Sequence, residues 1–570
     1  MVNHGRSGGC STCKQRRVKC DEAKPECRLC RRLGIRCEGY KAKTPSRKLK
    51  FKDESCKFRT TAAQERAVEV QDRAAVLLLR PLAEPDTAVP FYLWHYASMG
   101  RDLGSARGFF EMLFPVYCSQ RQNSVLSLAV SAMASKVLAL WRHDTSNFLS
   151  PGKAYIQAVT CLRSAVQDQT ERSKPATILA VLMLQQYDDI AAVYGIYSAT
   201  RVHYNGAVSL LPFANLNHIN GIIGAYIRRF MIHTEISSAM RQKRPLQSIK
   251  YLWIRSKHLI ATPDNLSSTL DAIGASVAEL QASYVRLETQ KGYMPLSQLA
   301  LEEWRAKAKH IDEQLLAWAQ SVPDYWRPLK LISGRDIDSS IPTYRSVCEV
   351  YHSCTIANIW NLWRFQRLLI AKTTLGLFNT TISLTPDNLA KDQYSGEIKD
   401  MLECKHIFQE LVNSVCYSVP FYLGNRTRLC SIADFDDPTI LLPSCDYKLA
   451  GDEGLVNKQT HEPRMSRNEH KRHVMAQGPW HAMSPLSRLL TLLSEDQGQL
   501  IASFLRPGQH EWIREQFLRV TILLHLSLTE ASGRKEGCRV LDSVTQGSIY
   551  TKAEFLAGEV RKGSIFMSGP

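Results

Sequence analysis

The chain has little that would carry it out of a cell or into a bilayer. Met1–Gly9 contains no apolar run, so no export signal is expected. Val2 stands where N-myristoylation needs glycine. A membrane-spanning helix needs about 20 apolar residues. The best candidate, Val125–Trp141, is shorter and is interrupted by Ser127, Ser131, Ser135 and Lys136, so it reads as a buried helix. Catalytic signatures are missing too. There is no Gly-Lys-Ser/Thr phosphate loop, no dinucleotide glycine fingerprint and no Gly-x-Ser-x-Gly elbow. An enzyme is therefore not expected. Strand-like alternation is rare, and no repeat of fixed period runs through the chain. Residues 61–79 lack the sustained a/d leucines of a coiled coil.

Cysteine, by contrast, is plentiful. Of 16 cysteines, seven fall in the first 56 residues and nine are scattered through apolar parts of the remainder. With no export signal, a reducing compartment is expected, and thiols or metal ligands rather than disulfides. Charge is equally uneven. Residues 1–60 hold 18 Lys and Arg against 6 Asp and Glu, a balance of +12 within a formal net charge of +18. A small basic head thus precedes a long, nearly neutral body, which points to a polyanion as partner of the head.

Six of the early cysteines are Cys10, Cys13, Cys20, Cys27, Cys30 and Cys37. Their spacing, Cys-x2-Cys-x6-Cys-x6-Cys-x2-Cys-x6-Cys, is two copies of one pattern. A Cys-x2-Cys turn grips one metal, and tetrahedral zinc takes four thiolates. Two separate sites would need eight cysteines, so six suffice only if two thiolates bridge both ions. The repeat nominates the first cysteine of each half, Cys10 and Cys27. So short a module has almost no apolar core, and metal binding must supply its folding free energy, on the order of 10 kcal/mol. Thiolates and two Zn²⁺ together carry a net charge of about −2, which leaves the head basic. A disulfide framework or a redox Cys-x-x-Cys fits less well, given the cations Lys14, Arg16, Arg17 and Lys19 in the first six-residue gap.

Residues 10–20, Cys-Ser-Thr-Cys-Lys-Gln-Arg-Arg-Val-Lys-Cys, and Lys24-Pro-Glu-Cys-Arg-Leu-Cys30 resemble the fungal Zn2Cys6 binuclear-cluster family. The resemblance implies two Zn²⁺ per chain held by all six cysteines, with the first and fourth bridging. It also implies a first helix in the major groove of double-stranded DNA, where adjacent basic residues read a CGG triplet. The matching positions are Arg16 and Arg17. Arg can donate two hydrogen bonds to guanine. Lys14 and Lys19 are expected on phosphates or in support of the fold. Many members carry two lysines where this chain has two arginines. A looser resemblance, His203-x-x-Gly206-Ala207-x-x-Leu210-Leu211, points to the helical regulatory region found in many such factors.

The expected architecture is a small metal-stapled Zn2Cys6 module, residues 1–40, followed by a basic arm and linker, 41–90. A large all-α regulatory domain then occupies 91–570. The arm at 41–52 would track phosphates or serve nuclear import. Helices are expected over 61–76, 122–142, 151–168, from Pro175 to Tyr187, over 198–211, 218–240, 266–285, 297–320, 396–416 and 509–529, and through Val347, Val350, Tyr351 and Cys354. Residues 441–479 read as a polar loop or disordered insertion. Within it His470 and His473 read as solvated, and the Asp434, Asp436 and Asp437 group reads as a turn. The function expected from the resemblance is a nuclear transcription factor of RNA polymerase II genes, regulating a metabolic or secondary-metabolite gene cluster. Its partners would be double-stranded DNA, the transcription machinery, a second copy of the chain bound through the body, and a small-molecule effector. The alternative is an enzyme or protein-interaction module tethered by a structural finger.

Overall fold

The computed structural model describes residues 9–40, 87–97, 105, 108–144, 152–196, 198, 200–213, 221–247, 265–291, 298–384, 391–445, 467–494, 501–526 and 546–563. The chain divides into two compact units, residues 1–62 and 63–570. The basic arm at 41–52, the helix expected at 61–76 and the segment assessed for a coiled coil lie outside the described residues.

In the first unit, two one-turn helices, α1 (Ser11–Gln15) and α2 (Arg28–Arg32), repeat one another. A Schellman pair closes each helix. The Val18 N–H reaches the Cys13 carbonyl at 3.1 Å and the Arg17 N–H reaches Lys14; Ile35 to Cys30, also 3.1 Å, and Gly34 to Arg31 are the counterparts. That motif needs a left-handed residue just after the helix. Gly34 supplies it at φ 65° and Arg17 at φ 54°. Cross-links tie the halves together. Asp21 Oδ2 accepts from the Arg28 N–H, Thr12 Oγ1 from the Glu38 N–H, and the Tyr40 hydroxyl donates to the Ala23 carbonyl at 2.6 Å.

The second unit is mostly helical. The chain enters it through α3 (Ala88–Tyr92) and one π-helical turn, Leu93–Ala97. Next come α4 (Phe109–Cys118) and α5 (Val125–Trp141). The Ser124 hydroxyl caps α5 by accepting from the Ser127 N–H. Then follow α6 (Lys153–Gln167) and α7 (Pro175–Val193). Proline at the first position of α7 costs no hydrogen bond. This helix is apolar on nearly every side and sits centrally, packed on α5 and on α8 (Val202–Leu210). The His203-to-Leu211 signature is thus a packing surface. Ala207, Leu210 and Leu211 are buried, and His203 pairs with Asp188 at 3.4 Å.

Three long helices, α9 (Gly221–Gln242), α10 (Leu266–Lys291) and α11 (Gln298–Ser321), lead to a hairpin of β1 (Leu329–Ile332) and β2 (Val347–Val350). Then come α12 (Cys354–Leu384), α13 (Lys391–Leu423), α14 (Arg467–Ser494), α15 (Gln509–Leu523) and α16 (Gln546–Gly563). Helix α14 packs on α12, α13, α15 and α16.

Three expectations are corrected. Val347–Val350 is an antiparallel strand paired with Leu329–Ile332, and the helix starts only at Cys354. Arg345 and Ser346, at φ 53° and 60°, turn the chain into the strand, so the three- and four-residue steps there did not mark a helix. The polar insertion ends early: residues 467–479 are helix, and His470 and His473 are buried, not solvated. Residues 446–466 lie outside the described residues. Lastly, α7, not Val125–Trp141, is the described helix long and apolar enough to cross a membrane, and 89% of its apolar window is buried within the body. The three aspartates do form a turn: Asp434 caps a 3-10 turn at Ser431, and Arg428 pairs with Asp434 and Asp437.

Candidate metal centre and nucleic-acid interface

Each half of the N-terminal module begins with a cysteine that caps its own helix. Cys10 Sγ accepts from the Cys13 N–H at 3.4 Å, and Cys27 Sγ from the Cys30 N–H at 3.3 Å. The cap turns Cys10 and Cys13 inward on one side and Cys27 and Cys30 on the other. Their sulfurs meet at 3.7 Å (Cys10–Cys27 and Cys13–Cys27), 3.8 Å (Cys13–Cys30) and 3.9 Å (Cys10–Cys30). These four side chains are buried, and Cys20 and Cys37 are partly buried. The sulfurs fall into two groups of four, each within 4.8 Å of one another. One is Cys10, Cys13, Cys20 and Cys27; the other is Cys10, Cys27, Cys30 and Cys37. Cys10 and Cys27 are common to both.

The surroundings suit thiolates that face cations. The backbone N–H of Cys10 points at Cys20 Sγ from 3.4 Å, and that of Glu22 does the same; together they draw the Cys20 thiol down to about 7. Cys37 is lowered in the same way by the N–H groups of Cys27 and Gly39. Cys30 goes the other way, because the Cys27 sulfur beside it and burial both oppose its charge. Six sulfurs this close cannot all ionise unless cations sit among them. The donor set therefore fits a soft divalent metal such as zinc.

Residues 8–47 match the family model described as the fungal Zn(2)-Cys(6) binuclear cluster domain. The N-terminal module belongs to that family. Three relatives share it. The Pestheic acid cluster transcriptional regulator 3 of Pestalotiopsis fici is 61% identical over 41 residues, 7% of either chain. The Aspercryptin biosynthesis cluster-specific transcription regulator of Emericella nidulans is 60% identical over 37 residues, 6% of either chain. A transcriptional regulatory protein of Schizosaccharomyces pombe is 56% identical over 32 residues, again 6% of either. The chain thus spans less than a tenth of the length of these relatives. No solved structure matches it.

The binuclear cluster domain binds zinc, and the basic side chains of the module lie outside the sulfur core. Lys14 is on α1, Arg16 caps that helix, Arg17 occupies the left-handed position, and Lys19 precedes Cys20. All four are exposed, and none forms an ion pair among the described residues. The second half adds cations that reading the first gap alone passed over. Arg28, Arg31, Arg32 and Arg36 are exposed as well. Superimposing the repeat on itself would have found two of them, since Lys14 corresponds to Arg31 and Lys19 to Arg36, while Arg28 and Arg32 fall on Ser11 and Gln15. The same superposition places Arg17 on Gly34.

Proposed function

We propose that this protein is a sequence-specific, DNA-binding transcription regulator of RNA polymerase II genes that acts in the nucleus. The observation that carries the reading is the pair of four-sulfur groups sharing Cys10 and Cys27, with a row of exposed cations on and just after α1. Two Zn²⁺ per chain occupy the two groups. Cys10 and Cys27 bridge them, and Cys13, Cys20, Cys30 and Cys37 are terminal ligands. Zinc here staples a module that has no apolar core of its own.

Arg16 and Arg17 read the guanines of a CGG-type half-site in the major groove, while Lys14 and Lys19 hold phosphates. Such a division gives sequence preference to the arginines and salt-dependent affinity to the lysines. The helical body regulates the output and is not an enzyme. Two of the three relatives are named as regulators of a cluster, one of them a biosynthesis cluster, which supports assigning this chain to a gene cluster of that kind.

The test is full-length protein titrated with CGG and scrambled duplexes, with and without a zinc chelator. The reading expects preference for CGG and its loss on chelation. Equal, chelator-insensitive binding to both duplexes would sink it.

A further inference from the structure

A small pocket of about 20 Å³ lies in the helical body between α9, α12, α14 and α16. A water needs roughly 10–15 Å³ on this measure, so the space takes about one or two water-sized groups, the scale of a single head group. Its polar lining is all donors of one kind or another: Arg241, Arg488 and Arg561, with Ser237, Ser484 and Ser487. No Asp, Glu or His is among the lining residues. The three arginines and Ser484 are half-buried, so a solute reaches them from outside.

The arginines are held where like charges crowd. The guanidinium groups of Arg488 and Arg561 lie over the same Phe365 ring, 4.7 and 5.6 Å from its centre. Arg241 Nη1 donates to the main-chain carbonyl of Arg561 at 3.1 Å. Desolvation, and then the Arg561 charge, draws Arg241 down to about 9. Arg201 and Arg244 push the same way, and Asp189 opposes them. Arg201 and Arg244 each pair with Glu235. Arg241 forms no ion pair with a carboxylate among the described residues, and a carbonyl carries no counter-charge. A desolvated cation beside another cation costs free energy that an anion recovers. The serines extend the donor set. The Ser487 hydroxyl is spent on the Ser484 carbonyl at 3.0 Å, whereas the Ser237 and Ser484 hydroxyls donate to nothing among the described residues.

We propose that this pocket binds the oxyanion head of a small molecule, a phosphate or a carboxylate, among Arg241, Arg488 and Arg561. The guanidinium fork matches both heads, donating two parallel hydrogen bonds to paired oxygens. Ser484 adds a hydroxyl donor. Only the head fits the space, so the rest of the molecule lies outside it. A bound head ties α16, through Arg561, to α9, through Arg241. The site belongs to the helical body and does not rest on the zinc reading.

The probes are inorganic phosphate and acetate, each compared with sodium chloride at equal ionic strength. Thermal unfolding of the helical body is followed in the full-length, zinc-loaded protein and in two variants. Arg241→Met and Arg488→Met keep an apolar stem and remove the charge. Circular dichroism confirms that each variant is folded, and either one carries the test alone. For a Kd of about 1 mM, about 50 mM probe should raise the midpoint by about 2–4 °C in the unaltered protein. The probe with the larger rise identifies the head group. Both variants should lose the rise. Anions that are merely excluded from the surface, or that bind the basic cysteine module, act alike on all three proteins. No rise above chloride with either probe overturns the proposal, as does a rise of equal size in the folded variants. A rise lost by Arg488→Met and kept by folded Arg241→Met overturns the role of Arg241.

Discussion

Replacing Arg17 with glycine separates what the backbone needs at that position from what the guanidinium does. Arg17 sits at φ 54° and its counterpart in the second half is Gly34, at φ 65°. A side chain in the left-handed region costs roughly 1–2 kcal/mol. Glycine removes that strain but loses roughly 0.5–1 kcal/mol of extra chain entropy on folding. The balance for Arg17→Gly is between about zero and 1.5 kcal/mol in favour of the fold. Zinc content and helicity should therefore be unchanged. The DNA readout should not be. A bidentate arginine on guanine is worth about 1–3 kcal/mol, which is about 5- to 140-fold in Kd on the CGG duplex. On a scrambled duplex the loss should be much smaller. Fluorescence anisotropy at several salt concentrations on both duplexes reads this out. An equal loss on both, with the salt slope reduced by about 0.9, would move Arg17 to a phosphate. Unchanged binding to both would remove it from the interface, and loss of zinc would refute the backbone reasoning.

Ligand removal should distinguish bridging from terminal cysteines. Cys27→Ala should lose both zinc ions and Cys37→Ala only one, counted by elemental analysis of the purified chain. Acid should destabilise the body through buried histidines. Burial holds His95 down to about 4, helped by the Arg472 charge, and burial holds His473 down to about 3. The unfolded chain takes up these protons near pH 6.5 and the folded chain does not. Stability is therefore full above that pH and falls below it, by about 2 kcal/mol per histidine at about pH 5. Urea unfolding across pH checks this, and His473→Leu should flatten the profile. Buried Arg364 and Glu349 pair at 2.7 Å, with Tyr351 and Ser414 also bonded to the carboxylate. Glu349→Ala should cost about 3–5 kcal/mol in urea unfolding by stranding the arginine. Glu349→Leu with Arg364→Met should cost far less.

The start of α7 was legible from Pro175, because proline is tolerated at the first position of a helix. The hairpin was not, because Val347–Val350 takes its strand form from Leu329–Ile332, a partner the local spacing does not show. Likewise, His470 and His473 sit in a charged stretch, and composition alone puts them in water. Their burial depends on α14 packing among other elements, including the π turn that carries His95, far away in the chain. In the module, the duplicated spacing already marked Cys10 and Cys27 as the pair common to both halves, and the sulfur positions form two groups around them. Arg31 and Arg36 were open to superposition of the repeat on itself but lay outside the gap with the densest charge. A cavity of the body lined by Tyr96, Trp141 and Trp480 had no local signature, since its walls come from seven separate segments between Tyr92 and His525.

The central claim is that the zinc-stapled module reads DNA sequence. The most direct measurement is the Kd of the full-length, zinc-loaded protein for a CGG duplex against a scrambled one at physiological salt, repeated after chelation. The account predicts tighter binding to CGG that disappears with the metal. Equal affinity for both duplexes, untouched by chelation, would contradict it.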